Sequence, residues 1–444
     1  MSMHTKVRID AACGWVRTLQ FDGRALSSRY RVLTCRQRSI LRSSDRGTCP
    51  NPRVRCLQIP PSNTSPVGVQ NVFQLGGSNL IDLPITVSTI FNIASGSAVC
   101  GVTPQLISKF GLPAELSQAQ TVVSVTNKIT QQQTWFNRER IRKPQLFQQP
   151  DVLVDPTAAK KHCDFCLWQD YTASDVFGRV ESEHTVTASN LFKYCEPSHG
   201  LVLFKHHHPL HFSQQQVSEL LSTAAEWFRA SHALHPEAHH PFFLWNCLPR
   251  AGASQFHGHA QVMLSKVALP CHTLAQQAQQ QFEAAGIGPG SYDDAVLSAH
   301  AALGLVTEVG PLNDRAYCFP SITPLKDMET VVQGTSLASP SFQAAIYAAL
   351  KTLIDQLGIT TFNVGISGIM VPGSPLPTSS TGSAALASAA EKVTARIVSR
   401  GKLSSQASDF GGLEVFAGAS IGHTDPFVLA AVLQQAMPNL VPCF

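Results

Sequence analysis

Residues 246–264 read Asn246-Cys-Leu-Pro-Arg-Ala-Gly-Ala-Ser-Gln-Phe-His257-Gly-His259-Ala-Gln261-Val-Met-Leu264. Two imidazoles and an amide stand at every second position of an apolar segment. If the segment is a strand, His257, His259 and Gln261 point to one face, because successive side chains of a strand alternate. The small residues before them let backbone N–H groups approach a phosphate closely, and the Ser254 hydroxyl is a further donor. A neutral imidazole beside a phosphate site is a candidate nucleophile.

This pattern resembles the histidine triad superfamily of nucleotide hydrolases and transferases. The hydrolases carry a third histidine two residues after the second, and Gln261 holds that place here. The substitution is similar to the transferase branch, which contains galactose-1-phosphate uridylyltransferase and the dinucleoside tetraphosphate phosphorylases. The resemblance implies that His259 becomes nucleotidylated and that Gln261 binds the transferred phosphoryl group. It also implies substrate contacts by Asn246, Ser254 and Gln255.

A second motif, Cys163-Asp-Phe-Cys166, has the spacing of a metal-binding pair. In zinc-containing uridylyltransferases, such a pair is completed by a histidine after the next buried strand and by the first triad histidine. The resemblance therefore implies a structural zinc site formed by Cys163, Cys166, His208 and His257. The third ligand stays open, because His206 or His207 would serve after a small change of register. An alternative is that both cysteines are ordinary thiols on a turn, since some phosphorylases of this branch carry no zinc.

Other histidines carry no motif of this kind. His184, His199, His239 and His240 are interpreted as surface or capping histidines. A metal-dependent hydrolase built on His206, His207 and His208 would need a nearby carboxylate, and none lies between Glu196 and Glu219 in the sequence.

Composition favours a globular enzyme. The chain has 444 residues, of which 44% are hydrophobic and only 14% are charged. That content excludes a disordered or coiled-coil protein. The formal charge of +4 is too small to indicate a nucleic-acid partner, and the longest uncharged stretch, residues 83–102, does not read as a membrane span. Twelve cysteines without a secretory signal favour a reducing, intracellular compartment.

The first 66 residues differ from the rest of the chain. They are rich in arginine, poor in acidic residues, and end in a Pro- and Ser-containing linker. This composition is typical of an organellar transit peptide, which would direct the protein to a plastid or mitochondrion. A disordered basic extension on a cytoplasmic protein is the alternative.

Periodicity predicts two similar units after residue 134. In the first, a buried strand at Gly200–Phe204 is followed by a helix that starts with a capping box at Ser213, and then by a strand at Phe242–Asn246 that should lie antiparallel to the histidine strand. The second repeats this order with strands at 316–320, 362–371 and 394–399 and helices at about 340–357 and after Asp425. Residues 373–390 read as a mobile loop.

The predicted fold class is therefore α+β, with two histidine-triad-like units whose antiparallel sheets are flanked by helices. The expected boundaries are 1–66 for the basic extension, 67–134 for a segment of unassigned role, 135–270 for the catalytic unit and 271–444 for a degenerate second unit. The second unit lacks the His-x-His-x-Gln pattern. A homodimer is compatible with the resemblance.

The resemblance implies a nucleotidyltransferase or phosphorylase that acts on a nucleoside diphosphate sugar or a dinucleoside polyphosphate. The residues before the first histidine are closer to the phosphorylases, whereas the cysteine pair is closer to the uridylyltransferases, so the substrate stays open. Two alternatives remain: a nucleotide-binding protein of this fold without turnover, and a nucleotide hydrolase of the superfamily.

Overall fold

The sheet expected around the histidine strand is present in the computed structural model of the chain. The structure describes residues 68–77, 83–99, 103–105, 108, 120–142, 153–155, 157, 162–288, 290–371, 392–403 and 409–441, which belong to one compact unit. The basic extension 1–66 and the loop predicted at 373–390 lie outside these residues. Within the described part, no helix has the length and apolarity that a bilayer crossing requires.

Runs of two or three strands are separated by helices along the described chain. In chain order the strands are β1 (Phe91–Ala98), β2 (Gln120–Asn127), β3 (Gln133–Asn137), β4 (Thr185–Ser189), β5 (Pro197–Phe204), β6 (His240–Cys247), β7 (His259–Ser265), β8 (Thr307–Val309), β9 (Ala316–Pro320), β10 (Thr330–Gly334), β11 (Phe362–Ser367), β12 (Val393–Ser399) and β13 (Ala419–Gly422). The α-helices are α1 (Val72–Gly77), α2 (Ile85–Ile90), α3 (Arg138–Arg142), α4 (Trp168–Tyr171), α5 (Gln214–Leu234), α6 (Pro270–Ala284), α7 (Tyr292–Ala302), α8 (Pro340–Leu357) and α9 (Pro426–Ala436).

One nine-stranded sheet runs through both predicted units, in the order β4-β5-β7-β6-β11-β12-β10-β9-β8. Every neighbouring pair in it is antiparallel. The helices α5 and α8 occupy equivalent places in its two halves, because each follows an inner strand and precedes a strand at the central seam. The α+β prediction and the antiparallel pairing of β6 with β7 are confirmed. The boundary between the two units at 270/271 stays a prediction. Strands β6 and β11 pair with each other from opposite sides of it.

A smaller sheet, β1-β2-β3-β13, joins the segment 67–134 to the end of the chain. Its β3 and β13 run parallel, whereas the other pairs are antiparallel. Asp425, the N-cap of α9, also accepts a hydrogen bond from the backbone N–H of Val72. The segment whose role was unassigned is therefore packed against the C-terminal part of the chain.

The two long helices begin and end where the sequence predicts. Ser213 forms a capping box with Gln216 at the start of α5. The hydroxyl of Ser339 accepts from the N–H of Phe342 at the start of α8, and Gly358 ends that helix with φ +65°. Both helices pack on one face of the large sheet, where Val202 and the leucines of α5 form part of the main core.

The strand β7 shows how this packing positions the site. Its Ala260, Val262 and Leu264 are fully buried in the helix-covered core, whereas His259 and Gln261 face the opposite side of the sheet. The strand begins at His259, so His257 precedes it and was wrongly placed within the strand. The strand expected over 362–371 is also shorter and ends at Ser367.

Candidate active site and metal centre

His259 lies between β5 and β6 with only 5% of its surface exposed. Its Nδ1 is 2.8 Å from the carbonyl oxygen of His257. Because a carbonyl oxygen only accepts, Nδ1 carries the proton and donates it to this bond, which leaves the lone pair on Nε2. Burial lowers the pKa of His259, with that hydrogen bond opposing the shift, so the ring stays neutral near pH 7. The site therefore holds an imidazole in the tautomer and charge state of a nucleophile.

Gln261 lies two residues further along the same strand face, and its amide oxygen is within hydrogen-bond distance of two side chains. The Tyr194 hydroxyl is 2.5 Å from Oε1, and Nε2 of His199 is 3.0 Å from it. Nδ1 of His199 accepts from the backbone N–H of Tyr194 at 3.4 Å, and Nδ2 of Asn190 lies 3.1 Å from the same Nε2 that faces Gln261. With the oxygen engaged in this way, the amide of Gln261 offers its N–H groups to an anion.

Asn246 is on β6, next to the turn that leads back to His257. This turn is a 3₁₀ helix, Pro249–Ala251, between two residues with positive φ, Leu248 at +70° and Gly252 at +93°. Oδ1 of Asn246 accepts a hydrogen bond of 2.7 Å from Asn363, and its Nδ2 lies beside Gly252. Further along, Ser254 is exposed and Gln255 is half-buried. The structure thus brings Asn246 and the loop to the same side of the sheet as His259.

The cysteine pair and His257 meet in one cluster. His257 Nδ1 lies 3.6 Å from the Cys163 sulfur and 3.4 Å from the Cys166 sulfur, and His207 Nδ1 lies 3.4 Å from the Cys166 sulfur. All four ligand atoms are within 4.8 Å of one another. In a tetrahedral zinc site with ordinary bond lengths, sulfur and nitrogen ligands are about 3.5 Å apart. The donor types and their spacing therefore fit zinc.

The structure corrects the third ligand that the sequence predicts, His208. His207 joins the cluster, whereas His208 stacks on His211 with ring centroids 3.6 Å apart. The chain leaves β5 at Phe204, so strand alternation no longer decides which of the three consecutive histidines faces the cysteines. The metal ligand set that the structure supports is Cys163, Cys166, His207 and His257.

Both histidines of the cluster are oriented through their second ring nitrogen. Nε2 of His257 is 2.6 Å from the carbonyl oxygen of Phe204, and Nε2 of His207 is 2.9 Å from Oδ2 of Asp155. Metal-binding histidines usually have such a carbonyl or carboxylate partner. Burial lowers the pKa of His257 to about 4, so the ring is a neutral ligand at pH 7.

The sulfur atom of Cys166 also depends on a cation for its charged form. Burial, and then the proximity of Cys163, raises the pKa of Cys166 to about 11. A bound divalent cation reverses this effect, because it stabilises the thiolates that coordinate it.

A competing metal site on His206, His207 and His208 finds no support in the described residues. His206 bonds to Gln216, and His208 stacks on His211, so the three consecutive histidines do not converge. A second group comprises Glu183, His184 and Glu219. Burial opposes ionisation of Glu219, but hydrogen bonds from Ser182, His184 and Gln215 outweigh it and lower its pKa to about 2. That carboxylate is already satisfied by protein donors.

Four residues near the site were missed by the sequence reasoning. Asp155, Tyr194 and Asn363 belong to no motif, and His199 was wrongly interpreted as a surface or capping histidine although it is fully buried. The signal for His199 was its strand: β5 pairs with β7, and His199 shares the face of Leu201, the register partner of Gln261. No signal in the sequence pointed to Asp155, which comes from a distant segment.

No protein-family model matches the sequence, and no curated protein does. Among solved structures, the chain is similar to an ADP-glucose phosphorylase from Arabidopsis thaliana with bound ADP-glucose, at 16% identity and a TM-score of 0.51 over 70% of this chain and 97% of the other. A GalT-like protein from Arabidopsis thaliana gives 17% identity and a TM-score of 0.48 over 65% and 99%, and a uridylyltransferase gives 14% and 0.48 over 71% and 99%. The resemblance expected from the sequence is thus confirmed at the level of the fold, and the chain has the fold of the ADP-glucose phosphorylase.

Proposed function

We propose that the chain is a nucleotidyltransferase or phosphorylase that works through a covalent nucleotidyl group on His259. One observation carries this proposal: a neutral imidazole whose Nδ1–H is fixed by the His257 carbonyl shares a strand face with the anchored amide of Gln261. A general base is not needed, because Nε2 already carries a lone pair.

In the first half-reaction, Nε2 of His259 attacks the α-phosphorus of a nucleoside diphosphate compound. A phosphorus–nitrogen bond forms, and the bond from that phosphorus to the bridging oxygen breaks. The leaving group, a sugar 1-phosphate or a nucleotide, takes the electron pair of the broken bond. The positive charge that develops on the imidazole is stabilised by the 2.8 Å hydrogen bond from Nδ1 to the His257 carbonyl. An acceptor phosphate then attacks the same phosphorus and releases His259.

Negative charge on the phosphoryl oxygens needs donors that are already in place. The N–H groups of Gln261 and Asn246 are suited to this role, because the oxygen of each amide is held by another donor of the protein. Donors fixed in advance stabilise the transition state without reorganisation during the reaction.

A zinc ion held by Cys163, Cys166, His207 and His257 would be structural, because all four ligand positions come from the protein. Such an ion fixes the ring of His257. The carbonyl of the same residue sets the tautomer of His259, so the metal site and the nucleophile are linked through one residue.

The substrate class we propose is a nucleoside diphosphate sugar or a dinucleoside polyphosphate. The ADP-glucose bound to the structure of the same fold makes that compound the first candidate. The test is to incubate the protein with nucleotide sugars and dinucleotides that are radiolabelled in the nucleotide, and then to denature it. We expect one class to leave label that is lost in acid and kept in base, as a phosphorus–nitrogen bond predicts. Label that is stable to acid, or none from any compound, would contradict the proposal.

Replacing Gln261 by alanine should slow both half-reactions by on the order of 10²-fold, the usual effect of losing one fixed donor to an oxyanion. Single-turnover labelling and discharge of the labelled protein measure the two rates separately. Met263→Leu, on the same strand face two residues further on, is the matched control and should keep the wild-type rates. Equal rates for Gln261→Ala and the wild type would remove Gln261 from the mechanism.

A further inference from the structure

The seam between the two halves of the large sheet lies directly beside the proposed phosphate site. Asn363 on β11 is the register partner of Asn246 on β6, so both side chains stand on the same face of the sheet. Nδ2 of Asn363 donates to Oδ1 of Asn246 at 2.7 Å and to the carbonyl oxygen of Ala251 at 2.8 Å. The side-chain amide of Asn363, in the second unit, therefore contacts two parts of the first unit. These are Asn246, a proposed anion-binding residue, and the loop that contains Ala251.

The orientation of Asn363 is itself fixed by Arg400, which directly follows β12. Nη1 of Arg400 donates to Oδ1 of Asn363 at 2.8 Å, which leaves Nδ2 for the two acceptors of the first unit. Asp409 forms an ion pair with Arg400 and holds its guanidinium in place. The carbonyl oxygen of Arg400 accepts a hydrogen bond from Nε of Arg250, and this is a second hydrogen bond to the same loop.

The loop 248–252 has a backbone conformation that depends on contacts with residues outside the loop. Leu248 has φ +70°, a region that is unfavourable for a residue with a large side chain and persists only where surrounding contacts enforce it. The contact to Ala251 comes from Asn363 on β11, and the contact to Arg250 comes from Arg400 directly after β12. Both lie within three residues of Leu248. The second unit thus supplies part of the free energy that keeps the loop in this conformation.

We propose that Asn363 is a positioning residue for the phosphate site, acting through Asn246 and the loop 248–252. By occupying Oδ1 of Asn246, it turns the Nδ2 donor of that residue to the side where the loop and His259 lie. The second unit, whose sequence lacks the His-x-His-x-Gln pattern, thereby supports the anion site of the first unit. The inference rests on the proposed function, because it assumes that a phosphoryl group binds there.

The experiment measures the single-turnover rate of nucleotidyl labelling at saturating substrate. Asn363→Asp keeps the size of the side chain but removes the donor, and we expect labelling to slow about tenfold or more. Ser367→Ala is the matched control, because it lies on the same strand and face and touches neither Asn246 nor Ala251 in the described contacts. Metal content and the far-UV circular dichroism spectrum should be the same for both variants and the wild type, which excludes a general loss of structure.

A double-mutant cycle separates positioning from an independent role. If Asn363 acts through Asn246, the variant Asn246→Ala/Asn363→Asp should be at most about threefold slower than Asn246→Ala alone. Effects that multiply in the double variant, or a wild-type rate for Asn363→Asp, would overturn the inference while leaving the proposed function intact. A wild-type protein that never becomes labelled overturns both, so the two failures are distinguishable.

Discussion

Replacing His259 by alanine is expected to abolish nucleotidyl labelling and to lower turnover by at least about 10⁴-fold, because the proposed nucleophile is lost. No described neighbour replaces it: His257 is directed at the cysteines through Nδ1 and at the Phe204 carbonyl through Nε2. His199 is engaged with Gln261. The effect should therefore appear in both half-reactions, since the second requires the adduct formed in the first.

The measurement is labelling with the best substrate found in the panel, followed by mapping of the adduct to a peptide. His240→Ala is the matched control, because His240 lies on the adjacent strand β6 and forms none of the contacts of His259. Metal content and thermal unfolding of His259→Ala should stay near the wild-type values. An adduct on any other residue, or wild-type turnover by His259→Ala, would disprove the covalent mechanism.

The second large effect is expected at the metal centre. Protein purified without chelator should contain about one zinc ion per chain, in keeping with four ligands in one tetrahedral set. Cys163→Ser removes a thiolate from a buried cluster and should abolish most of the metal content. It should also lower the free energy of unfolding by several kcal/mol, because binding energy of a structural metal is folding energy. Metal analysis and thermal unfolding of the same preparations test both statements.

Two further variants test whether metal binding depends on these particular ligands. Asp155→Asn keeps the size of the partner of His207 but weakens it, and the affinity for zinc should fall by about 10–100-fold. Cys271→Ser, at an exposed cysteine outside the cluster, should change neither metal content nor stability. Wild-type protein that contains no metal would refute the zinc site, and retention of zinc by Cys163→Ser would refute this ligand set.

Much of the local structure and the order of the site residues could be predicted from the sequence. Helix α5 follows from the Ser213 capping box and its apolar spacing, and α8 from Ser339, Pro340 and the final Gly358. The strand face of His259 and Gln261 follows from alternation along an apolar segment. These features depend on neighbours within a few residues, which is why a single sequence contains them.

Only the tertiary structure decided which distant groups complete the site. The choice of His207 over His208 depends on the path of the chain after β5, where no periodicity applies. Asp155 reaches His207, and Asn363 reaches Asn246, from positions that no spacing rule connects to the motifs. Contacts of this kind arise from strand register and from the packing of separate segments, which local patterns do not specify. The sequence alone thus determined the strand face that His259 and Gln261 share, whereas the fold decided which distant residues hold that strand and its loop in place.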